Sequence, residues 1–95
     1  MLKALAVEDS GKNERTEITA DGVFIFIGLI PNTEVVKDLI ALNDQGFIKT
    51  EGMGKTSAQG VFAACDCREG AIAQLAVATV EGVLASYGIK DFLKR

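Results

Sequence analysis

Ninety-five residues, 48% hydrophobic and 24% charged, describe one packed domain and exclude a disordered chain. Ten Lys and Arg against 13 Asp and Glu leave a net charge of −3, which gives no electrostatic footprint for nucleic acid or an anionic membrane surface. The absence of histidine removes Ser-His-Asp and Cys-His catalysis, Cys₂His₂ zinc binding and a haem held by a proximal imidazole.

Leu2 to Val7 has the alternation of a strand, Asp9 to Asn13 is turn chemistry, and Arg15 to Thr19 is again extended in character, so the first nineteen residues predict a β-hairpin. After the Asp21-Gly22 turn, Val23 to Ile27 is an unbroken β-branched and aromatic run. That pattern predicts a strand covered on both faces, with Phe24 and Phe26 in the core. Pro31 breaks the chain, and Thr33 offers an N-cap oxygen to a short amphipathic helix carrying Val35, Val36, Leu39, Ile40 and Leu42. Phe47 to Thr50 reads as a strand, Glu51 to Lys55 as a loop, and Val61 to Cys65 as a strand of small residues.

The last third predicts a helix with an apolar stripe of Ile72, Leu75, Ala76, Thr79, Val80 and Val83. Gly82 is a point of close packing and Gly88 a C-terminal stop, with a short terminal helix over 90–95. The fold class is therefore α+β or α/β. The apolar runs are too short to span a bilayer, and Lys3, Glu8 and Asp9 interrupt any leader-like pattern, so a cytoplasmic protein is expected. A positive mean hydropathy in so small a chain implies apolar surface that meets a partner.

The chemistry concentrates in Gly60 to Arg68, where a small-residue strand delivers Asp66 toward the final helix. An aspartate beyond the carboxyl end of a strand is placed to accept a hydrogen bond from a nucleotide sugar hydroxyl, and one ahead of a helix is equally placed to cap it. Cys65 and Cys67 form a Cys-x-Cys pair. On an extended strand both would share a face, leaving three readings open: inert buried thiols, a redox pair, or half of an intermolecular metal site. Two thiolates without histidine make no zinc site within one chain, so no metal is expected.

The runs Asp21 to Gly28, Pro31-Asn32-Thr33, Gln45 to Ile48, and Thr56-Ser57 with Gly60 to Ala64 before Asp66 resemble, in order and spacing, the C-terminal part of thioredoxin reductases. These are two-dinucleotide flavoprotein oxidoreductases. The resemblance implies a partial FAD-domain-like fold, with 1–27 closing a pyridine-nucleotide domain and 28–95 completing the FAD domain. It further implies that Asp66 contacts the ribityl and pyrophosphate region of FAD, and that Gln74 and Leu75 lie against the flavin ring. Where the family has glycine this chain has Cys65, whose side chain is expected to obstruct the cofactor; Ala73 and Val80 depart as well.

The flavin-binding Gly-x-Gly-x-x-Gly, the nucleotide motif and the redox Cys-x-x-Cys are absent, so the isolated chain is expected to bind FAD weakly or not at all. Function then needs a separate FAD-binding polypeptide. The alternatives are a non-catalytic module that self-associates as a homo-oligomer, and a small thiol-redox protein using Cys65 and Cys67.

Overall fold

In a computed structural model, which describes residues 1–94, the N-terminal hairpin forms as its turn chemistry predicts. Strand β1 (Ala4–Asp9) pairs antiparallel with β2 (Glu14–Thr19), in a register that sets Ala4 opposite Thr19 and Asp9 opposite Glu14. The Asp9 carboxylate accepts the Gly11 amide at 2.8 Å and the Asp9 carbonyl accepts Asn13 N–H at 2.8 Å. Asn13 takes the left-handed φ of 54° that asparagine tolerates. Arg15 meets Glu8 across the strands at 3.1 Å, an exposed pair worth only a few tenths of a kcal/mol, about 0.2 to 1.

Past the hairpin the structure departs from the predicted strand. Val23 to Ile27 has no strand partner among the described residues, and Phe24 and Phe26 stack on each other in solvent, centroids 6.0 Å apart, rather than in a core. A strand exists only through its neighbours' hydrogen bonds, and the hairpin supplies none here. The short helix is likewise reduced to a 3-10 turn, Glu34–Val36. Thr33 does not cap it; its hydroxyl donates instead to the Gly46 carbonyl, and Val35 and Leu39 face solvent. A single turn without a surface for its second apolar face does not propagate into a helix.

The core lies between residues 36 and 67. Ile40, Ile48 and Ala63 form it, with Val36, Leu42, Ala58 and Cys67 packed around them. The Phe47 to Thr50 and Val61 to Cys65 segments contribute only isolated bridges, Ile48 to Leu42 and Arg68, and Phe62 to Lys55. Ile48 N–H donates to Cys67 O at 2.8 Å and Glu69 N–H to Ile48 O at 2.9 Å, which ties the loop after Ala63 to this core.

Helix α1 (Leu75–Leu93) closes the fold over a face other than the apolar stripe. Its buried residues are Glu81, Ala85 and Gly88, while Leu75, Val80 and Val83 are exposed. Small side chains explain the choice: a Cβ at Gly88 would lie 2.8 Å from the Phe62 ring and 2.9 Å from Met53 O. Gly88 is therefore a contact point inside the helix, not its stop, and a Cβ at Gly82 would meet nothing. Lys90 to Leu93 continues α1 instead of starting a separate helix; Arg95 lies outside the described residues. Phe92 meets Phe62 edge to face at 6.3 Å.

The hairpin packs on no other regular element among the described residues. With extents of 62 × 26 × 22 Å and a radius of gyration of 19.5 Å, the chain is far from the roughly 12 Å of a compact domain of this size.

Candidate functional site

Cys65 to Cys67 form a 3-10 turn, so the two cysteines do not sit on an extended strand. Cys65 Sγ lies 3.3 Å from Ala78 O on α1, and Cys67 Sγ lies 3.2 Å from Ala64 O. Both thiols are free and half-buried, and among the described residues no group of His, Cys, Asp and Glu is placed to hold a metal. Cys65 adopts φ 68°, the left-handed backbone that glycine takes without strain.

This turn is fixed by one carboxylate that sequence reasoning did not single out. Glu81, 8% exposed, accepts the Cys65 amide at 2.8 Å and Arg68 Nε at 2.6 Å, and pairs with the second guanidinium nitrogen of Arg68. The Arg68 hydrogen bonds hold the Glu81 carboxyl below its ordinary range against the opposing effect of burial, and the Cys65 amide adds to the shift. In return Glu81 raises Arg68. A charged residue in the middle of an apolar helix was the available signal.

Asp66 at the apex of the turn does not cap α1, whose first residue is Leu75. Its exposed carboxylate makes no hydrogen bond or ion pair with the described residues and opens on a crevice shared with Leu29, Ile30, Pro31, Asn32 and Cys67. The turn thus joins two of the sequence motifs, Pro31-Asn32 and the Asp66 segment. Cys65 does not line this crevice, so the side chain at the glycine-like position is turned onto α1 and leaves the crevice open. Gln74 and Leu75 do stand at the N-terminus of α1, with no side-chain cap, and both are exposed. They do not line the Asp66 crevice.

The family profile of the pyridine nucleotide-disulphide oxidoreductases matches residues 3–82. The chain belongs to this family. Within the pyridine nucleotide-disulphide oxidoreductases it is thioredoxin reductase-like: it is 34% identical to thioredoxin reductase of Bacillus subtilis over 86 residues, which cover 90% of this chain and 27% of that protein. It is 41% identical over 92 residues to the 34.2 kDa protein in the rubredoxin operon of Clostridium pasteurianum, covering 97% of this chain and 30% of the relative. The thioredoxin reductase of T. acidophilum has the same fold over 98% of this chain, with a TM-score of 0.82 at 34% identity, and this chain covers 31% of it. The chain therefore spans about a third or less of these relatives. No helix among the described residues is long and apolar enough to cross a membrane.

Proposed function

We propose that this chain is one portion of an FAD-dependent NAD(P)H-disulfide oxidoreductase of the thioredoxin reductase type, working in the cytoplasm when a second polypeptide supplies the remaining portion. The observation that carries this reading is the match to thioredoxin reductases along 90% or more of the chain at 27–31% of their length. The missing flavin-binding glycine motif, nucleotide motif and Cys-x-x-Cys belong to the other portion.

In this reading residues 1–27 belong to the pyridine-nucleotide unit and 28–95 to the FAD unit. Asp66 fits a cofactor: its carboxylate is unpartnered, exposed and set beside Pro31-Asn32, where it accepts hydrogen bonds from sugar hydroxyls. Gln74 and Leu75 stand at the uncapped start of α1, whose free N–H groups favour negative charge, and in this reading they would lie against the flavin ring. The Glu81 clamp on Cys65 and Arg68 holds the turn that presents Asp66. FAD supplies the hydride and electron chemistry when bound; this chain orients it along one wall, and the phosphates need the glycine-rich turn of the partner.

The test is reconstitution. The portion of Bacillus subtilis thioredoxin reductase outside its match to this chain is produced separately, mixed with this chain, FAD and NADPH, and assayed for reduction of a disulfide dye. FAD-dependent turnover in the mixture and in neither half alone is expected. Turnover by this chain alone, or none in a folded mixture, overturns the proposal.

A further inference from the structure

The turn over 56–61 and the end of α1 bound a second pocket, of about 140 Å³, that shares no lining residue with the Asp66 crevice. Its walls come from this chain and are fixed by its own bonds. Thr56 Oγ1 donates to Val61 O at 2.9 Å and accepts the Ala58 N–H at 3.2 Å, while Val61 N–H donates back to Ala58 O at 3.1 Å. Lys55 and Phe62 are antiparallel bridge partners, and residues opposite each other in such a pair project from the same face. Phe92, in the last turn of α1, closes the third side edge to face with Phe62. Gly60, at φ 79°, makes room for it: a Cβ there would lie 3.2 Å from the Phe92 ring.

The lining divides into an apolar part and a polar part. Phe62 and Phe92 are partly buried, whereas Lys55 and Gln59 are exposed at the mouth with head groups that engage no described residue. An apolar hollow with a few polar groups on one side is the pattern of a small-molecule site. The volume and the charge define the occupant. A cavity of about 150 Å³ lined by apolar side chains takes a benzene molecule, so one six-membered ring matches the space here. Phe62 and Phe92, crossed at 69°, offer a third ring both a face and an edge to pack on. On a chain of net charge −3 the balance at this spot is positive: Lys55 also borders a neighbouring depression with Lys49, where Glu51 is the one acidic group, and neither lysine is in an ion pair among the described residues.

We infer that this pocket binds a small aromatic carboxylate of one ring, the ring against Phe62 and Phe92 and the carboxylate on the Lys55 ammonium and the Gln59 amide. Lysine supplies the charge, the amide a second donor, and the two phenylalanines select a flat apolar body. The site is independent of the flavin-linked function: Phe92 is about 25 Å of helix away from Leu75, at the other end of α1.

Titration of the full chain with 4-fluorobenzoate, followed by fluorine NMR and by amide shifts of the protein, tests the assignment. Saturable binding with a Kd on the order of a millimolar is expected, with shifts at Lys55, Gln59, Gly60, Phe62 and Phe92 and none at Asp66. Raised salt should weaken it. Lys55→Gln should weaken it about threefold or more, while Lys55→Arg, which keeps the charge, stays within about twofold of wild type. Phe92→Leu should weaken it to a similar degree with the helix signal of α1 retained. No saturation by about 20 mM, shifts confined to other residues, or equal binding by Lys55→Gln overturns the site. Displacement of the probe by benzyl alcohol as readily as by benzoate overturns the carboxylate, and displacement by cyclohexanecarboxylate as readily as by benzoate overturns the aromatic ring.

Discussion

Arg68 and Glu81, 13 residues apart, form the one ion pair of the described residues in which both side chains are largely withdrawn from solvent, with Arg68 Nε 2.6 Å from Glu81 Oε2. Because the same carboxylate oxygen accepts the Cys65 amide, the pair locks the Cys65–Cys67 turn onto α1. Removing one partner leaves the other charge half-buried. Glu81→Ala should cost about 2 to 3 kcal/mol, read as a lower urea midpoint with an unchanged slope.

The same pair sets an acid limit. The folded state holds Glu81 below its ordinary carboxylate value, chiefly through the Arg68 hydrogen bonds, so the unfolded chain binds that proton more readily. Its contribution is complete above the ordinary value of about 4.3 and is lost as pH falls through the lower folded value. Wild-type stability measured by urea should drop below about pH 4, and Glu81→Gln, which does not titrate, should flatten that part of the profile.

Two glycines of one helix should respond in opposite directions to alanine. At Gly82 a Cβ meets nothing within 4 Å, so Gly82→Ala should gain up to about 1 kcal/mol from helix propensity. At Gly88 it collides with Phe62 and the Met53 backbone, so Gly88→Ala should lose about 2 kcal/mol despite the same propensity gain. Thermal unfolding followed by circular dichroism separates the two.

A buried thiol in an extended strand predicts that Cys65→Gly destabilises. The left-handed φ of 68° alters the balance, since strain relief of about 1 to 2 kcal/mol offsets the lost contact with α1 and the added backbone freedom. Cys65→Gly should therefore be neutral within about 1 kcal/mol, while β-branched Cys65→Val should lose about 2 kcal/mol. Equal losses for both in urea titrations would contradict a strained Cys65.

The sequence was most legible where structure is local. The β1–β2 turn is written in Asp9, Gly11 and Asn13, whose own side chains and backbone close it, and α1 is visible from its apolar stripe, although not its run past Gly88 to Leu93. The elements that failed need neighbours. Val23 to Ile27 reads as a strand because its residues suit a sheet interior, yet none of the described residues pairs with it. The stripe of Leu75, Val80 and Val83 is likewise real but uncovered, and α1 packs through Glu81, Ala85 and Gly88, whose merit is small size or charge rather than hydrophobicity. At the site, Pro31-Asn32 and Asp66 were separately visible as motifs and the fold joins them. Of the Arg68 to Glu81 clamp the sequence shows only a lone charge on an apolar helix; its partner is hidden, because residues 13 apart obey no local periodicity.

If the redox disulfide resides on the complementary portion, Cys65 and Cys67 carry no electrons. The double substitution Cys65→Ser with Cys67→Ser should keep NADPH-dependent disulfide reduction by the reconstituted pair within about threefold of wild type, since each thiol makes only a weak hydrogen bond to a carbonyl. Abolished turnover with retained FAD would assign the chemistry to these thiols.

Equilibrium dialysis of FAD against this chain, against the complementary portion of Bacillus subtilis thioredoxin reductase, and against their mixture tests the central claim most directly. The account predicts one tightly held FAD per pair in the mixture and negligible retention by this chain alone, with Asp66→Ala weakening retention by the pair about tenfold or more. Stoichiometric FAD on the isolated chain, or a mixture that retains no more than the complementary portion does by itself, would contradict it.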